Sequence, residues 1–335
     1  MKKEIIVGEN DAGQRLDRFL LKLFPMLKSG VVNKAVRNKD IKLNGKRTDI
    51  SCRLAENDIV YLFLPDSLLE AKNNEDDFMA AKDELTVIYE DENILLADKE
   101  QGLVVHSDES GTADTLINRI KKYLYLKDEY SPENEQSFTP SLCNRIDRNT
   151  GGIVIAAKNA EALRILNEKI KNRKLVKKYL CIVIGKPEKN EDVLTAYLER
   201  DTAKKQVKIS DKKTPDNLTV KTKYKVIDSC GELSLLEVEL LTGRTHQIRA
   251  HMAHIGHPLL GDGKYGVNRI NMKYGFKMQA LYSYKLKFDF AGSSGILNYL
   301  DKKEFTAKNV PFLTRYEKIK EERKDRKNEI RSFTL

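Results

Sequence analysis

One carboxylate set among cations is the first feature of this 335-residue chain that could do chemistry. Asp147 lies between Arg145 and Arg148 in the stretch SLCNRIDRNTGGIVIAAKN. Neighbouring arginines favour the ionised form of a carboxylic acid, although a single pair of this kind is usually only a structural salt bridge. Gly151 and Gly152 follow and open an apolar run. Glycines let a backbone approach a ligand or a strand closely, so this junction between turn and strand is a candidate position for a reactive acid.

A second polar cluster, LLTGRTHQIRAHMAHIGHPLLGDGKYG, follows at residues 240–266. Apolar residues spaced i, i+4 and i+7 predict a helix with Thr245 as its N-cap, Arg244 just before it and Arg249 in its early turns. Four of the five histidines of the chain also occur here. Their spacings fit no zinc pattern, so we predict no metal site and expect histidines that are hydrogen-bonded within the fold or face a nucleic acid.

A tyrosine that follows a run of cations is the third feature. In RKLVKKYLCIVIGK, Lys177 and Lys178 precede Tyr179 at the head of an apolar strand. A tyrosine in such a place is more often a core residue than a catalytic one. After a cationic loop, however, its ring could stack on a base while the lysines hold phosphate. The pattern therefore adds Tyr179 to the candidate site.

The overall composition limits the classes of protein to which the chain can belong. The net charge of +10 favours a polyanionic partner. Apolar residues make up 40% and charged residues 33%, which is typical of a globular protein. No apolar run approaches the ~20 residues that a membrane span needs, and the N-terminus lacks the apolar centre of a signal peptide. From these two absences we expect a cytoplasmic protein with no membrane partner. The four cysteines are widely spaced, so we expect them to be reduced thiols.

The first 65 residues predict a small basic domain. An apolar stripe over residues 14–24 and a second segment near residues 31–37 predict two helices, which a turn and two strands follow. Between residues 28 and 47 the only acid is Asp40. Two basic helices followed by a turn and a strand suit a grip on a phosphate backbone. The candidate RNA-binding side chains of this domain are Arg15, Arg18, Lys34, Arg37 and Lys46.

The rest of the chain divides into three parts. Residues 66–84 are acidic and polar, and we predict a linker there. Residues 85–312 show strand patterns with long loops and three helical segments, at 115–124, 160–174 and 245–255, which predicts a larger domain of mixed structure. Residues 313–335 are highly charged with few apolar positions, so we predict a charged tail that is a solvated helix or disordered.

Three motifs together resemble one enzyme family. NRIDRNTGG, KKYLCIVIGK and TGRTHQIRAHMAHIGHPLLGD, in this order and spacing, are similar to motifs of the Rlu-type pseudouridine synthases (the large-subunit ribosomal RNA type), which modify ribosomal or transfer RNA. The segments RLDRFL and KLNGK resemble the RNA-binding domain of the ribosomal protein S-four type. The resemblance covers residues 12–65 and 85–312. The chain departs from the usual residues of the family at five positions, Glu100, Asn144, Ile146, Gly151 and Tyr282.

The resemblance implies an α+β fold and RNA as the partner. The catalytic domain would contain a long mixed, mostly antiparallel sheet flanked by helices and loops, and the N-terminal domain would be a small RNA-binding domain of the αL type. The reaction breaks the bond from the uracil nitrogen to the sugar, turns the base, and joins carbon five to the same sugar carbon. No atom is lost, so we expect no cofactor. The appended basic domain favours large-subunit ribosomal RNA over transfer RNA, and we expect a monomer.

The resemblance also assigns roles to residues at the candidate site. Asp147 would be the essential acid, which either attacks the sugar carbon or stabilises positive charge there and removes a sugar proton. Arg249 would be its partner, because an ionised carboxylate in a closed pocket costs free energy unless it is paired. Tyr179 would stack on the uracil and help to move the carbon-five proton, and Leu281 would supply an apolar wall.

The remaining assignments concern how the RNA reaches the pocket. Gly151 and Gly152 would let the chain bend tightly beside it. Arg145 would enter the gap that a flipped uracil leaves in the RNA, since the base must leave its stack. The other side chains of this domain that we expect to contact RNA are Lys177, Lys178, Arg244 and His246.

Two other functions are compatible with parts of the sequence. An RNA-binding factor that kept the fold and lost catalysis would not need Asp147, Tyr179 and Arg249 together, and all three are present. A glycosidase acting on a nucleoside bond would need two carboxylates about 5–10 Å apart, and the motifs mark only one. Release of carbon-five tritium from labelled RNA distinguishes an isomerase from both.

Overall fold

A small unit of strands and helices forms the N-terminal part of the protein. The computed structural model describes residues 2–70, 77–107, 111–201 and 206–332. The elements of the small unit are β1 (Lys3–Ile6), α1 (Leu16–Leu23), α2 (Ser29–Arg37), β2 (Ile41–Leu43), β3 (Lys46–Arg47) and β4 (Ile59–Leu62). The four strands form an antiparallel sheet with the order β1-β4-β2-β3.

The apolar stripe of α1 explains why this unit has a core of its own. Leu16, Phe19 and Leu20 lie on one face of the helix and are buried together with Val32 and Val36 of α2. Residues spaced in this way leave the opposite faces of both helices to charged side chains. The exposed cations of this unit include Arg18, Lys34, Arg37 and Lys46.

A short turn fixes the small unit to the rest of the protein. Asn10 accepts a hydrogen bond from the backbone N–H of Ala160 (3.1 Å) and donates one to Glu135 (2.8 Å). Gln14 donates to the hydroxyl of Ser137 (2.9 Å). These bonds join residues of the small unit to residues of the larger unit that are far away in sequence. The small unit is therefore docked against the larger one in this structure.

The acidic segment between the two units is anchored at both ends. Leu69 is buried in the core of the small unit. Phe78 is buried in the larger unit, where its ring meets those of Tyr125 (centroids 5.7 Å apart) and Tyr130 (6.1 Å). Residues 71–76, in the middle of the predicted linker, lie outside the described residues.

The larger unit is built on one long sheet. Its elements are β5 (Val87–Glu90), β6 (Ile94–Lys99), α3 (Leu116–Leu126), β7 (Ser141–Leu142), β8 (Gly151–Ala157), α4 (Ala160–Lys171), β9 (Leu175–Ile184), β10 (Glu191–Asp201), β11 (Gln206–Ser210), β12 (Leu218–Cys230), β13 (Leu233–Leu240), α5 (Gln247–His254), α6 (Asn268–Tyr274), β14 (Leu281–Phe288), β15 (Glu304–Thr306) and α7 (Pro311–Ser332). The strand order is β11-β10-β12-β13-β9-β14-β8-β6-β5, with β15 beside β14 and β7 beside β8.

This sheet confirms the predicted α+β class. Within the described ranges it contains eleven strands, and β14 with β8 is the one parallel pair. A mixed but mostly antiparallel sheet is therefore present beside the small N-terminal sheet. The strands alternate with helices only in part, since β9 to β13 follow one another through turns and hairpins.

The two faces of the long sheet are covered by different helices. Tyr179 and Cys181 of β9 point to the face that packs against α3 and α5. Leu180 and Ile182, which alternate with them, point to the face that packs against α4 and α7. Because both faces are buried, the central strands read as continuous apolar runs. A polar residue in these strands, such as Lys177, is therefore unusual and is a candidate for a specific role.

The structure differs from the sequence-based expectations at two helix ends. The helix α5 begins at Gln247 rather than directly after Thr245, so the prediction of Thr245 as N-cap is wrong. The expected C-terminal tail is not wholly solvated, because α7 begins at Pro311 and its residues Tyr316 and Ile319 are buried in the main core. Together with Phe312 at the start of the helix, these apolar side chains dock α7 against the main core although its sequence is highly charged.

The described helices also bear on the question of a membrane. None of them combines the length and the apolar character that crossing a bilayer requires. The longest, α7, has a strongly charged sequence.

Candidate active site

A cavity of about 520 Å³ opens on the face of the long sheet that packs against α5. Its wall contains Asp147 from the turn before β8, Tyr179 from β9, and Arg244, His246 and Arg249 from the segment around the start of α5. The three sequence clusters meet here because β9 pairs with both β13, which leads into α5, and β14, which pairs with β8. The sheet order therefore assembles the site from residues about one hundred positions apart.

A chain of charges, Asp147–Arg249–Asp262, runs from the wall of the cavity into the buried interior. Nη1 of Arg249 donates to Oδ2 of Asp147 at 2.7 Å. Its Nε and Nη2 donate to the two oxygens of Asp262, at 2.7 and 3.0 Å. The side chain of Asp147 is 25% exposed, whereas that of Asp262 is 0% exposed. Arg249 is thus held by a buried acid and presents its remaining nitrogen to an accessible one.

Burial and pairing compete in this chain of charges. Burial lowers the pKa of Arg249, but its hydrogen bonds with Asp262 and Asp147 outweigh burial and raise that pKa above its usual value. Burial raises the pKa of Asp262, but hydrogen bonds from Arg249 and from the backbone N–H groups of Lys264 and Tyr265 keep it below its usual value. Both groups of this pair are therefore charged at neutral pH.

Asp262 is a residue that the sequence analysis did not single out. It follows Gly261 and precedes Gly263 in the second polar cluster. An acid between two glycines at the end of that cluster was the available signal. Its buried, bidentate bond with Arg249 identifies Asp262 as the group that fixes the plane of the guanidinium.

Tyr179 and Leu281 form the apolar part of the wall. Both are buried and both line the cavity. Burial raises the pKa of Tyr179 to about 12, and the negative charge of Asp147 adds to that shift. The hydroxyl of Tyr179 is consequently protonated at neutral pH. A protonated phenol beside a carboxylate gives the cavity a flat apolar face with a polar edge.

Gly151 and Gly152 are not among the residues that line the cavity. A Cβ atom on Gly151 would lie 2.4 Å from Cε2 of Tyr282. On Gly152, which has a φ of +109°, it would lie 2.2 Å from the carbonyl oxygen of Ser283. These glycines permit the close parallel pairing of β8 with β14. They contribute to the site indirectly, because β8 begins directly after the turn that carries Asp147.

The two lysines before Tyr179 lie on opposite faces of β9. Lys177 lines the cavity, as Tyr179 does two residues later. Burial lowers the pKa of Lys177 to about 8. Lys178 points the other way and forms an ion pair with Glu237 at 2.8 Å. Because side chains alternate along a strand, only Lys177 is placed to meet a ligand in the cavity, and the assignment of Lys178 to RNA binding is not supported by its position.

Two further cations stand at the mouth of the cavity. Arg145 and Arg244 are exposed and line its rim. In the small N-terminal unit, Arg15 differs from the other candidates because it forms an ion pair with Asp17 at 2.7 Å. The exposed candidates are therefore better placed for phosphate contacts than Arg15.

His246 lies deeper in the cavity than its predicted role at the RNA surface implies. Its Nε2 is 3.9 Å from Oδ2 of Asp147, and its Nδ1 is 3.0 Å from the hydroxyl of Tyr265. Burial lowers the pKa of His246, although the charge of Asp147 opposes this shift. Its imidazole is therefore neutral at pH 7. The sequence analysis did not single out Tyr265, which follows Asp262 by three positions.

The other histidines of the second cluster have separate partners. His251 meets the hydroxyl of Thr222 (2.9 Å), and His254 meets the carboxylate of Asp211 (2.9 Å). Across the part of the chain that the structure describes, no group of three or more His, Cys, Asp or Glu side chains is arranged to hold a metal ion.

A buried lysine holds the turn that carries Asp147. Nζ of Lys99 donates to the carbonyl oxygens of Glu100 (2.8 Å), Leu103 (2.7 Å) and Arg148 (2.8 Å). Its side chain is fully buried. Burial lowers the pKa of Lys99 to about 7, while the charge of Asp147 raises it. Three carbonyl acceptors match the three N–H groups of an ammonium, so Lys99 ties the end of β6 to the residue next to Asp147.

Replacement of this lysine tests that tie. Lys99→Met keeps the aliphatic stem but leaves buried carbonyls without their donor. We expect a loss of about 2–4 kcal/mol in the free energy of unfolding. Urea unfolding measures it, with Lys82→Met at an exposed position as the control. An unchanged urea midpoint for Lys99→Met would contradict the proposed tie.

Comparison with known proteins points to one family. Residues 93–254 match the family model described as RNA pseudouridylate synthase. The chain is 33% identical over 315 residues to the uncharacterized RNA pseudouridine synthase MG370 of Mycoplasma genitalium, covering 92% of this chain and 97% of that protein. It is 30% identical over 326 residues to the ribosomal large subunit pseudouridine synthase D of Borreliella burgdorferi, covering 96% of this chain and 94% of that protein.

Solved structures agree with this at the level of the fold. The human RNA pseudouridylate synthase domain containing 4 superposes with a TM-score of 0.52 at 20% identity, covering 69% of this chain and 90% of that chain. The human RNA pseudouridylate synthase domain containing 1 gives a TM-score of 0.51 at 19% identity, covering 70% of this chain and 94% of that chain. At these identities the likeness concerns the fold alone.

Proposed function

Because the chain belongs to the RNA pseudouridylate synthase family, we propose that it modifies uridines of large-subunit ribosomal RNA and that Asp147 is the acid on which the reaction depends. The protein is an RNA pseudouridine synthase, an isomerase that acts on RNA. The observation that carries the choice of Asp147 is its geometry. It is the accessible carboxylate of the chain Asp147–Arg249–Asp262, in the wall of the cavity.

Arg249 positions the carboxylate of the proposed reacting acid, Asp147. The hydrogen bond from Nη1 holds Oδ2 of Asp147 in place and brings the positive charge of the guanidinium beside it. Among the described residues, Oδ1 receives no such bond, so one oxygen remains for the ribose of the target uridine. That oxygen either attacks the sugar carbon or removes a sugar proton. In both routes the bond from uracil nitrogen to sugar breaks, and the base turns before carbon five joins the same sugar carbon.

The wall of the cavity suits a flipped base. Tyr179 offers a ring on which uracil can stack, and Leu281 closes the apolar side. Arg145 is exposed at the rim, where it can enter the gap that the uracil leaves in the RNA. Lys177 and Arg244 bring further positive charge to the phosphates around that gap. The cavity thus accepts one nucleotide out of a polyanionic strand.

Asp262 bears on the rival glycosidase mechanism. A second carboxylate does lie near Asp147, but it is 0% exposed and both of its oxygens receive hydrogen bonds from Arg249. A glycosidase needs its second carboxylate free to act as acid or base. The arrangement supports an isomerase with one reacting acid.

We assign the target RNA from the basic N-terminal unit and the relatives. The relative from Borreliella burgdorferi carries the name of a ribosomal large subunit pseudouridine synthase. The small unit presents exposed cations on two helices and a turn, as an RNA-binding domain of the ribosomal protein S-four type would. We further propose that the protein acts as a monomer in the cytoplasm, with ribosomal RNA as the partner and transfer RNA as the alternative target.

One experiment tests the proposed function. Ribosomal RNA fragments labelled with tritium at carbon five of uridine are incubated with the purified protein. Release of tritium without release of uracil is the expected result, because isomerisation replaces the carbon-five hydrogen and keeps the base. Free uracil would support a glycosidase, and neither product would support an RNA-binding factor. Parallel labelling of transfer RNA identifies the preferred target.

The charge of the N-terminal unit gives a quantitative prediction. The variant Lys34→Gln, Arg37→Gln, Lys46→Gln removes three exposed cations without touching the cavity. Each lost phosphate contact flattens the slope of log affinity against log salt by ~0.7–0.9. We therefore expect a slope flatter by roughly 2–3, a raised KM and an unchanged rate at saturating RNA.

The control for this prediction is a second triple variant. Lys308→Gln, Lys318→Gln and Lys324→Gln remove the same number of exposed charges near the C-terminus. If both triple variants change the salt slope equally, general charge rather than the N-terminal unit governs binding. If the first variant lowers the saturated rate, the N-terminal unit contributes to the active site itself.

A further inference from the structure

The hydrogen bonds around Tyr265 determine which nitrogen of His246 carries the proton. The hydroxyl oxygen of Tyr265 accepts a hydrogen bond from the backbone N–H of Val207 at 3.0 Å. The same oxygen lies 3.0 Å from Nδ1 of His246. The single hydrogen of the phenol has Nδ1 as its acceptor, which satisfies every donor in the network. Nδ1 is then the accepting nitrogen, and a neutral imidazole carries its proton on Nε2.

This proton points toward the reacting acid but is not used by it. Nε2 of His246 is 3.9 Å from Oδ2 of Asp147. An N–H···O hydrogen bond spans about 2.7–3.2 Å, so the two groups are near each other without being bonded. The side chain of His246 is 14% exposed and lines the cavity. An N–H donor is therefore available to a ligand beside Asp147.

The backbone conformation of His246 supports a functional role for its ring as a hydrogen-bond donor to a ligand beside Asp147. The residue has a φ of +53° and a ψ of 19°, in the left-handed region that non-glycine residues seldom adopt. It is the N-cap of α5, yet its side chain makes no capping hydrogen bond. Tyr265, which holds the ring, also packs its own ring 5.3 Å from the guanidinium carbon of Arg249. Unusual backbone that is held by its surroundings in this way clusters at functional sites.

We propose that His246 is a catalytic residue that donates a hydrogen bond from Nε2–H to the O2 carbonyl oxygen of the target uracil while the glycosidic bond breaks. This inference rests on the proposed role of Asp147. When the bond from nitrogen one to the sugar carbon breaks, its electron pair passes to the uracil and spreads over nitrogen one, O2 and O4. The sugar carbon bonds to Asp147 or becomes cationic. His246 transfers no proton in this step, and its hydrogen bond strengthens as negative charge grows on O2.

Position selects O2 rather than O4. Asp147 must reach the sugar at or next to the carbon that bears the base. A donor within 4 Å of the Asp147 carboxylate therefore lies at the same end of the uracil as that bond. O2 belongs to the carbon next to nitrogen one, whereas O4 lies across the ring. Tyr265 would be a positioning residue, because it acts through the imidazole.

Two substitutions of His246 separate the donor from the backbone. His246→Asn tolerates the left-handed backbone but is too short to place a donor where Nε2 is. His246→Gln can place an amide N–H close to that position. Loss of one such donor costs about 10²–10³ in rate, so we expect that fall in the saturated single-turnover rate for the asparagine variant and partial recovery for the glutamine variant. RNA affinity and thermal unfolding should remain near those of the wild type.

The substrate supplies the decisive comparison. RNA carrying 2-thiouridine at the target position replaces O2 by sulfur, a weaker acceptor. If the donor acts on O2, the rate ratio of wild type to His246→Asn shrinks at least tenfold on the thio substrate. Tyr265→Phe should show the same substrate dependence with a smaller loss of rate.

Distinct outcomes overturn the two proposals. The role of His246 is overturned if the ratio of the wild-type rate to the His246→Asn rate is equal on the uridine and 2-thiouridine substrates. A wild-type rate for His246→Asn overturns it as well. Absence of pseudouridine with the wild-type enzyme instead overturns the proposed function.

Discussion

Asp147→Asn is expected to abolish isomerisation while RNA binding and folding persist. The amide keeps the shape of the carboxylate and can still meet Nη1 of Arg249 through its oxygen. It has no negative charge, so it can neither attack the sugar carbon nor remove a sugar proton. We expect turnover to fall below the limit of detection, with RNA affinity unchanged within about threefold, a difference of less than 1 kcal/mol. Tritium release and filter binding on the same RNA fragment measure both quantities.

Asp211→Asn is the matched control for this substitution. Asp211 is an exposed acid whose partner is His254, and it does not line the cavity. Its variant should retain wild-type turnover. Turnover of Asp147→Asn within tenfold of the wild type would end the assignment of Asp147 as the reacting acid.

Arg249→Met is expected to cost both activity and stability. The substitution leaves Asp262 without its partner at a position that is 0% exposed. Removing one partner of a buried ion pair destabilises a protein by roughly 3–5 kcal/mol, because the other charge remains buried and uncompensated. Isomerisation should be lost as well, since the guanidinium no longer holds Asp147. Urea unfolding measures the change in the free energy of unfolding.

The pH dependence of this loss follows from Asp262. In the wild type, pairing with Arg249 holds the pKa of Asp262 below its usual value. The pair therefore stabilises the fold at pH values above the unfolded pKa of about 3.9. This stabilisation is lost as the pH falls through the folded pKa of Asp262. In Arg249→Met the guanidinium no longer lowers the pKa of Asp262, so burial raises that pKa against only the two backbone N–H bonds from Lys264 and Tyr265. The acid can then take up a proton in the folded variant, which relieves the penalty. The difference in stability between the two proteins should therefore be larger at pH 7.5 than at pH 5.

Arg244→Met is the stability control for Arg249→Met. Arg244 is an exposed arginine that begins the same segment. Its variant should unfold at the wild-type urea concentration at both pH values. A difference between Arg249→Met and the wild type that is constant with pH would contradict the account of Asp262, whatever happens to activity.

Local patterns in the sequence were sufficient for much of the fold. The stripe of α1, with Leu16, Phe19 and Leu20 on one face, predicted a helix that the structure contains. The apolar runs of β8 and β9 predicted buried strands, which are central in the long sheet. These features depend on neighbours a few residues away. Thr245 was expected to be the N-cap of α5 on its residue type alone, but the helix begins one residue later, with His246 as N-cap in the left-handed region.

The candidate site shows the limit of local reasoning. Asp147, Tyr179 and Arg249 were selected from three motifs, and the structure brings them to one cavity. Asp262 was missed although it is the partner that fixes Arg249. Lys178 was grouped with Lys177 because they are adjacent, but alternation along β9 sends Lys178 to Glu237 on the other face.

The sequence by itself indicated many of the helices and strands, and it supplied the motifs that mark the proposed reacting acid and its arginine. Only the tertiary structure decided that Asp262 orients Arg249, that Lys99 ties down the turn before β8, and that Tyr265 fixes the proton of His246. The physical reason is the range of the interactions. Helix and strand preferences act between residues that are close in the chain, whereas hydrogen bonds and ion pairs of the site join β6, β11, α5 and two turns. Their strength depends on burial, which exists only once the long sheet has formed.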